Sequence, residues 1–221
     1  MIEAKWRTVD DYIVDRLVGD APLLAGVLEA NAGAGLPAID VSAAQGKFLH
    51  LMVRIAGARR ILELGTLGGY STIWMAQALP IDGRLETFEY EPRHADVARR
   101  NIERAGLSDR VRIHVGAAAE TLPRLAAEAP APFDLFFIDA DKPNNPLYLE
   151  WAIRLGRPGS VIILDNVVRE GDIVNPRSAD PRIVGTRLAF DMIGGSPHLD
   201  GTALQTVGSK GYDGFALMVV R

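Results

Sequence analysis

Hydrophobic and polar residues follow two rhythms along this chain. From residue 60 onward, short apolar runs recur: RILELG from Arg60, RLETFEY from Arg84, VRIHVG from Val111, FDLFFID from Phe133 and GSVIILDN from Gly159. Their length and their content of β-branched and aromatic residues predict strands. Between them, segments 69–79, 92–105, 119–128 and 145–155 carry apolar residues at helical spacing. Strands alternating with helices imply βαβ units and a parallel sheet, because parallel neighbours need a crossover connection. In 135–138 and 161–164 the apolar residues are consecutive, as a central strand covered by helices on both faces requires.

The flanks read differently. Thr8 opens a helical pattern that runs to Val18, and Asp20 stands where it would cap a second helix over 21–32. NAGAGLP ends that pattern. Ser42 is placed as the N-cap of a third helix carrying Phe48, Leu49, Met52 and Val53. After Asn166 a loop leads to a helix near 181–193; TALQTV and FALMVV then flank GSKGYDG, which predicts an antiparallel hairpin with a glycine-rich loop at the sheet edge. With no repeat, low-complexity segment or linker, the expectation is one α/β domain over 1–221: N-terminal helices (1–58), a ligand-binding core (59–166) and a C-terminal part (167–221).

Composition narrows the function classes. A chain of 221 residues suits one sizeable domain. A net charge of −4 without a Lys/Arg-rich run argues against nucleic-acid binding, since phosphate contact needs a basic surface. With no cysteine, disulfides and thiolate metal sites are excluded. The opening MIEAKWRTVDDYI is charged throughout and lacks the apolar core of a signal peptide. No apolar run approaches the ~20 residues that span a bilayer, so a cytoplasmic protein without a membrane partner is expected.

Open α/β sheets bind ligands beyond the carboxyl ends of their strands, so each strand exit is a candidate for chemistry. The first leaves through ELGTLGGYS, where Gly65, Gly68 and Gly69 permit a tight turn and close backbone approach. Its G-x-x-G-G spacing differs from the dinucleotide fingerprint G-x-G-x-x-G, which counts against a nicotinamide enzyme. Glu89, at the second strand's end, is placed to accept hydrogen bonds from ribose hydroxyls. Small residues in GAAAETL after the third strand leave room for a flat adenine. At the fourth and fifth exits stand Asp139 and Asp165, with Asn166 beside the latter. If these strands are neighbours, about 4.8 Å apart, both carboxylates reach one cation. Asn166 can join only if the chain turns there. Two carboxylates and an amide oxygen suit a hard divalent ion such as Mg²⁺. The four histidines show no ligand spacing and read as surface or packing residues, and no G-x-S-x-G elbow supports a hydrolase.

In order and spacing, LELGTLGGYS, FEYEP, VGAAAETLP, FIDADK and ILDN resemble the cation-dependent class I O-methyltransferases, which include the caffeoyl-CoA and catechol enzymes and bacterial relatives. The resemblance extends over roughly residues 8–220 and includes VSAAQGKFL. It implies a Rossmann-like, seven-stranded, mostly parallel methyltransferase sheet with an antiparallel last strand. S-adenosylmethionine (SAM) would be the donor, S-adenosylhomocysteine (SAH) the product, and the enzyme a homodimer. It further implies that Val41, Glu63, Gly65, Thr66, Ser71 and Asp139 line the donor's methionine end. Glu89 would hold the ribose and Ala118 the adenine region, Asp139, Asp165 and Asn166 the metal, and Lys142 would be the catalytic base. Asp141 either supports the metal set or caps its loop. Unlike plant members, the chain has Asn145 three positions after the lysine, with Tyr148 at the next aromatic position, and VVREGDIVNP lacks their Trp. The expected activity is metal-dependent O-methylation of a small catechol-like phenol. The rivals are a nicotinamide-dependent oxidoreductase and a non-catalytic SAM-binding protein.

Overall fold

Three helices precede the first strand: α1 (Ile2–Ile13), α2 (Pro22–Gly33) and α3 (Ala43–Ile55). In the computed structural model, which describes residues 2–128 and 131–221, α1 starts well before Thr8 and passes into a π-helical turn over Val14–Val18. Its residues are mostly exposed, so apolar spacing marks its start poorly. Asp20 does not cap α2. Ala21 is the N-cap, and Pro22, with fixed φ and no N–H to satisfy, starts the helix. Ser42 does cap α3, its hydroxyl accepting from Gln45 N at 3.2 Å.

The apolar runs become β1 (Arg60–Leu64), β2 (Arg84–Glu89), β3 (Val111–Val115), β4 (Leu135–Ile138) and β5 (Val161–Asp165). They alternate with α4 (Tyr70–Ala76), α5 (Pro92–Arg104), α6 (Ala118–Ala127) and α7 (Asn145–Leu155). A short 3₁₀ segment (Arg169–Val174), α8 (Pro181–Gly195) and the hairpin β6 (Leu199–Gly208) and β7 (Gly211–Val220) complete the chain. The sheet has seven strands in the order β3-β2-β1-β4-β5-β7-β6, and β7 runs against both neighbours while the others are parallel. The hairpin is tighter than expected. Pairing continues to Gly208↔Gly211, leaving Ser209 and Lys210 as the turn, and Gly211 takes φ +94°.

The consecutive apolar residues of β4 divide between two layers because neighbouring side chains point to opposite faces. Phe136 and Ile138 pack with Leu149 and Ala189, whereas Leu135 and Phe137 pack with Leu49 and Ile73. Each such buried side chain contributes about 1.5–3 kcal/mol relative to exposure. Among the described residues no helix is long and apolar enough to cross a membrane. The arrangement brings the C-terminal ends of β1, β2, β4 and β5 to one edge, and there the chemistry collects.

Candidate active site

The turn after β1 is built around backbone that only glycine fits. Gly65 has φ +99°, and a Cβ on it would lie 2.2 Å from the Asp139 carbonyl oxygen. The ends of β1 and β4 therefore touch through bare backbone. Leu67 is held in the left-handed region at φ +49°, and Glu89 fixes it there, its Oε2 accepting from Leu67 N at 2.7 Å. The other oxygen of Glu89 accepts from Glu91 N at 3.0 Å and lies 3.4 Å from His94 Nδ1. From behind, Asn101 donates to Gly68 O at 2.7 Å and to Asn31 Oδ1 of α2 at 2.9 Å.

Glu63 is fully buried behind this turn. It accepts from Ser71 Oγ at 2.6 Å, from Thr87 Oγ1 at 2.7 Å and from the Thr72 hydroxyl. Burial pushes its carboxyl up to about 7 in spite of those bonds. A cavity of about 800 Å³ opens in front of the turn, and its wall includes Val41, Gly65, Thr66, Ser71, Glu89, Ala118 and Asp139. Glu63 is not on that wall, so its part is to fix Ser71, which is. Ile39 and Tyr90 line the cavity with 68% and 74% of their surface exposed, apolar area that a bound ligand could cover. His94 also lines it, although sequence spacing gave it no role.

The other end of the cavity is formed by the exits of β4 and β5, which are paired neighbours. Lys142, 7% exposed, donates from Nζ to Asp139 Oδ1 at 2.7 Å. Asp165, 5% exposed, is raised above the usual carboxylate range, first by burial and then by the charge of Asp139, with Lys142 opposing. Asn166 turns at φ +55° and joins the cavity wall, so the bend that a shared ligand required is present. Gln45 completes the set by donating from Nε2 to Asp165 Oδ2 at 2.6 Å. It gets there because α3 lies hard against α4: a Cβ on Gly46 would sit 2.3 Å from the Trp74 ring.

The donor set suits a divalent cation. The charge of Asp139 adds to the cost of ionising the buried Asp165, and Lys142 offsets only one charge. A hard cation with oxygen ligands would supply the remainder. Among the described residues no cluster of three or more His, Asp or Glu side chains could hold a metal, so an ion here would rely on Asp139, Asp165 and the amide of Asn166.

Two loops shape the far wall. Asp141, at the start of the Lys142 loop, makes no capping bond to the backbone but accepts from the Asn144 side-chain amide and the Tyr148 hydroxyl. Helix α8 presses on the same loop through Gly185, whose hypothetical Cβ would lie 2.3 Å from Lys142 O and 2.7 Å from Pro143 Cα. Gly185→Ala is therefore expected to displace Lys142 and lower kcat by about tenfold to a hundredfold. Overpacking would cost about 1–3 kcal/mol. Steady-state kinetics beside calorimetric SAH binding would separate the two, because SAH affinity should hold while kcat falls. After β5, Arg169, Glu170 and Gly171 take positive φ in succession. Asp213 of β7 holds that bend, its Oδ1 accepting from Val168 N and Arg169 N, each at 2.9 Å.

A parallel sheet with one reversed strand, a glycine turn facing an acid on the next strand, and an acid–lysine pair at the crevice define a nucleoside-type donor fold with an oxygen-rich reaction corner. Comparison with known proteins agrees. The family model "O-methyltransferase" matches residues 15–194, and the chain belongs to that family. The catechol O-methyltransferase of Mycobacterium tuberculosis is 55% identical over 213 residues, covering 96% of this chain and 95% of that protein. Among solved structures, the O-methyltransferase from Bacillus cereus in complex with SAH superposes with a TM-score of 0.98 at 55% identity over 100% of both chains. The O-methyltransferase TomG from Streptomyces achromogenes, involved in tomaymycin synthesis and in complex with SAM, gives 0.96 at 45% identity over 100% of this chain and 99% of the other.

Proposed function

We propose that this chain transfers the methyl group of SAM to one hydroxyl of a small catechol-like phenol and depends on a divalent cation such as Mg²⁺. The observation that carries the reading is one cavity with two unlike ends. The glycine turn with Ser71, Glu89 and Ala118 suits an amino acid and a nucleoside, while Asp139, Lys142 and Asn166 on the wall, with Asp165 buried beside them, suit a cation and an ionising hydroxyl. The SAM and SAH complexes of the similar enzymes support the donor, and the catechol O-methyltransferase relatives support the acceptor.

Asp139, Asp165 and Asn166 would hold the cation, which would supply Lewis-acid stabilisation of the phenolate over the phenol. Glu89 orients the ribose, Ser71 and Thr66 border the methionine end, and Ala118 leaves space for the base. Lys142, in its neutral amine form, would accept the hydroxyl proton at Nζ and become the ammonium. The phenolate oxygen bonds to the methyl carbon as the carbon–sulfur bond breaks, and SAH is left. Most of the acceleration then comes from alignment and fixed charge.

The direct test is methyl transfer from SAM to catechol after EDTA treatment and again after adding Mg²⁺. Loss and recovery of turnover are expected; transfer indifferent to EDTA would remove the cation from the mechanism. Lys142→Met should lower kcat by about 10²–10⁴, the usual contribution of a positioned base, while SAH binds within a few-fold of normal. We further propose a cytoplasmic homodimer, on the family resemblance and on exposed apolar side chains such as Leu51 and Ile55 of α3; light scattering would test the assembly.

A further inference from the structure

The acceptor end of the cavity contains one cation whose side chain makes no hydrogen bond among the described residues. Lys142 is bonded to Asp139 at 2.7 Å, and Asp141 accepts from Tyr148 and Asn144. Arg182, also on the wall, is gripped by Asp180, its Nε lying 3.1 Å from both carboxylate oxygens. Arg169 differs. Its guanidinium comes no closer than 3.8 Å to Asp213, beyond hydrogen-bond reach, and its Nε is buried with no partner among the described residues. Asp213 spends its hydrogen bonds on the backbone N–H groups of Val168 and Arg169.

The backbone adds a second, independent indication. Arg169 lines the cavity at φ +55°, a region costly for a side-chain-bearing residue, and it follows Asn166, itself at φ +55°. The clamp from Asp213 thus holds in place an arginine whose guanidinium makes no hydrogen bond among the described residues. A buried guanidinium N–H without an acceptor is costly, and a planar anion is the group that best matches the guanidinium fork.

We propose that Arg169 is a specificity-determining residue that selects acceptors bearing an anionic substituent, a carboxylate above all, so that the preferred substrates are phenolic acids with vicinal hydroxyls. This rests on the reading of the cavity as a phenol O-methyltransferase site and narrows it. The hydroxyls face the Asp139, Asp165 and Asn166 corner, and the carboxylate takes the Arg169 donors.

Binding separates this inference from the activity on which it rests. The affinities of 3,4-dihydroxybenzoate and its neutral methyl ester would be measured by calorimetry on protein loaded with SAH and Mg²⁺. The unaltered protein is expected to bind the acid at least about tenfold more tightly than the ester, a charge-assisted bidentate contact being worth about 1.4 kcal/mol or more. Arg169→Gln should bring that ratio close to one, and Arg169→Lys should retain part of it. Equal affinity for acid and ester in the unaltered protein would overturn the proposal, and so would a ratio untouched by Arg169→Gln. If the acid binds preferentially through Arg169 but no methyl is transferred, the catalytic reading fails and this inference stands.

Discussion

Replacing Asp165 with alanine should abolish cation-stimulated methyl transfer, lowering kcat by about 10³ or more, since charge stabilisation by a bound ion is worth several kcal/mol. SAH should bind within about threefold of normal, because the glycine turn, Ser71 and Glu89 owe nothing to this side chain. The stability readout points the other way. Asp165 has its folded-state carboxyl raised by burial and by Asp139. A raised acid contributes stability that is present below its unfolded value and lost as pH rises through the folded one. At neutral pH without a cation, deleting it should therefore leave the thermal midpoint unchanged or higher. Added Mg²⁺ should raise the midpoint of the unaltered protein but not of Asp165→Ala. A variant that keeps EDTA-sensitive turnover would sink the assignment of Asp165 as a ligand.

Gly65→Ala should be the most damaging single methyl in the molecule. The added carbon meets the Asp139 carbonyl oxygen at 2.2 Å, and the backbone sits at φ +99°, where an L-residue is strained. Strain and overpacking together suggest a loss of about 3 kcal/mol, or roughly 6–12 °C in midpoint for a chain of this size. The displaced Asp139 backbone would also spoil the corner it supports. Differential scanning calorimetry, SAH titration and a turnover assay should all report the change, with SAH affinity down by at least about tenfold. Normal SAH binding and activity in Gly65→Ala would mean that the close approach of β1 and β4 is not needed for function.

Much of this was legible in the chain because strand ends and turns leave local marks. The consecutive apolar residues of β4, the abrupt change to Asp139 and the glycines after β1 required no knowledge of partners. Relations across the sheet were hidden. Gln45 reaches Asp165 from a helix far earlier in the chain, and only the contact of Gly46 with Trp74 explains how. Asp213 sat in what looked like an ordinary hairpin loop, yet it holds the bend carrying Arg169. Glu63 was expected at the donor surface and lies one layer behind it, because three hydroxyls surround it in a fully buried pocket that no sequence spacing reveals. At the N-terminus, the exposed face of α1 gave its true start no apolar signature.

The reversed direction of β7 has a practical meaning for altering this enzyme. Because β7 runs against β5, Phe215 pairs with Asp165, and the strand's beginning, with Asp213 and Gly214, arrives at the edge where the other strands finish. In the proposed reading the donor end is assembled from loops after β1, β2 and β3, whereas the acceptor wall draws on the β4 exit, on Arg182 of α8 and on the bend after β5, which Asp213 of this last hairpin braces. The two ends thus come from separate stretches of chain. Libraries confined to residues 167–186 and 209–214 should retune which phenols are accepted while the methyl-donor half is carried along unaltered.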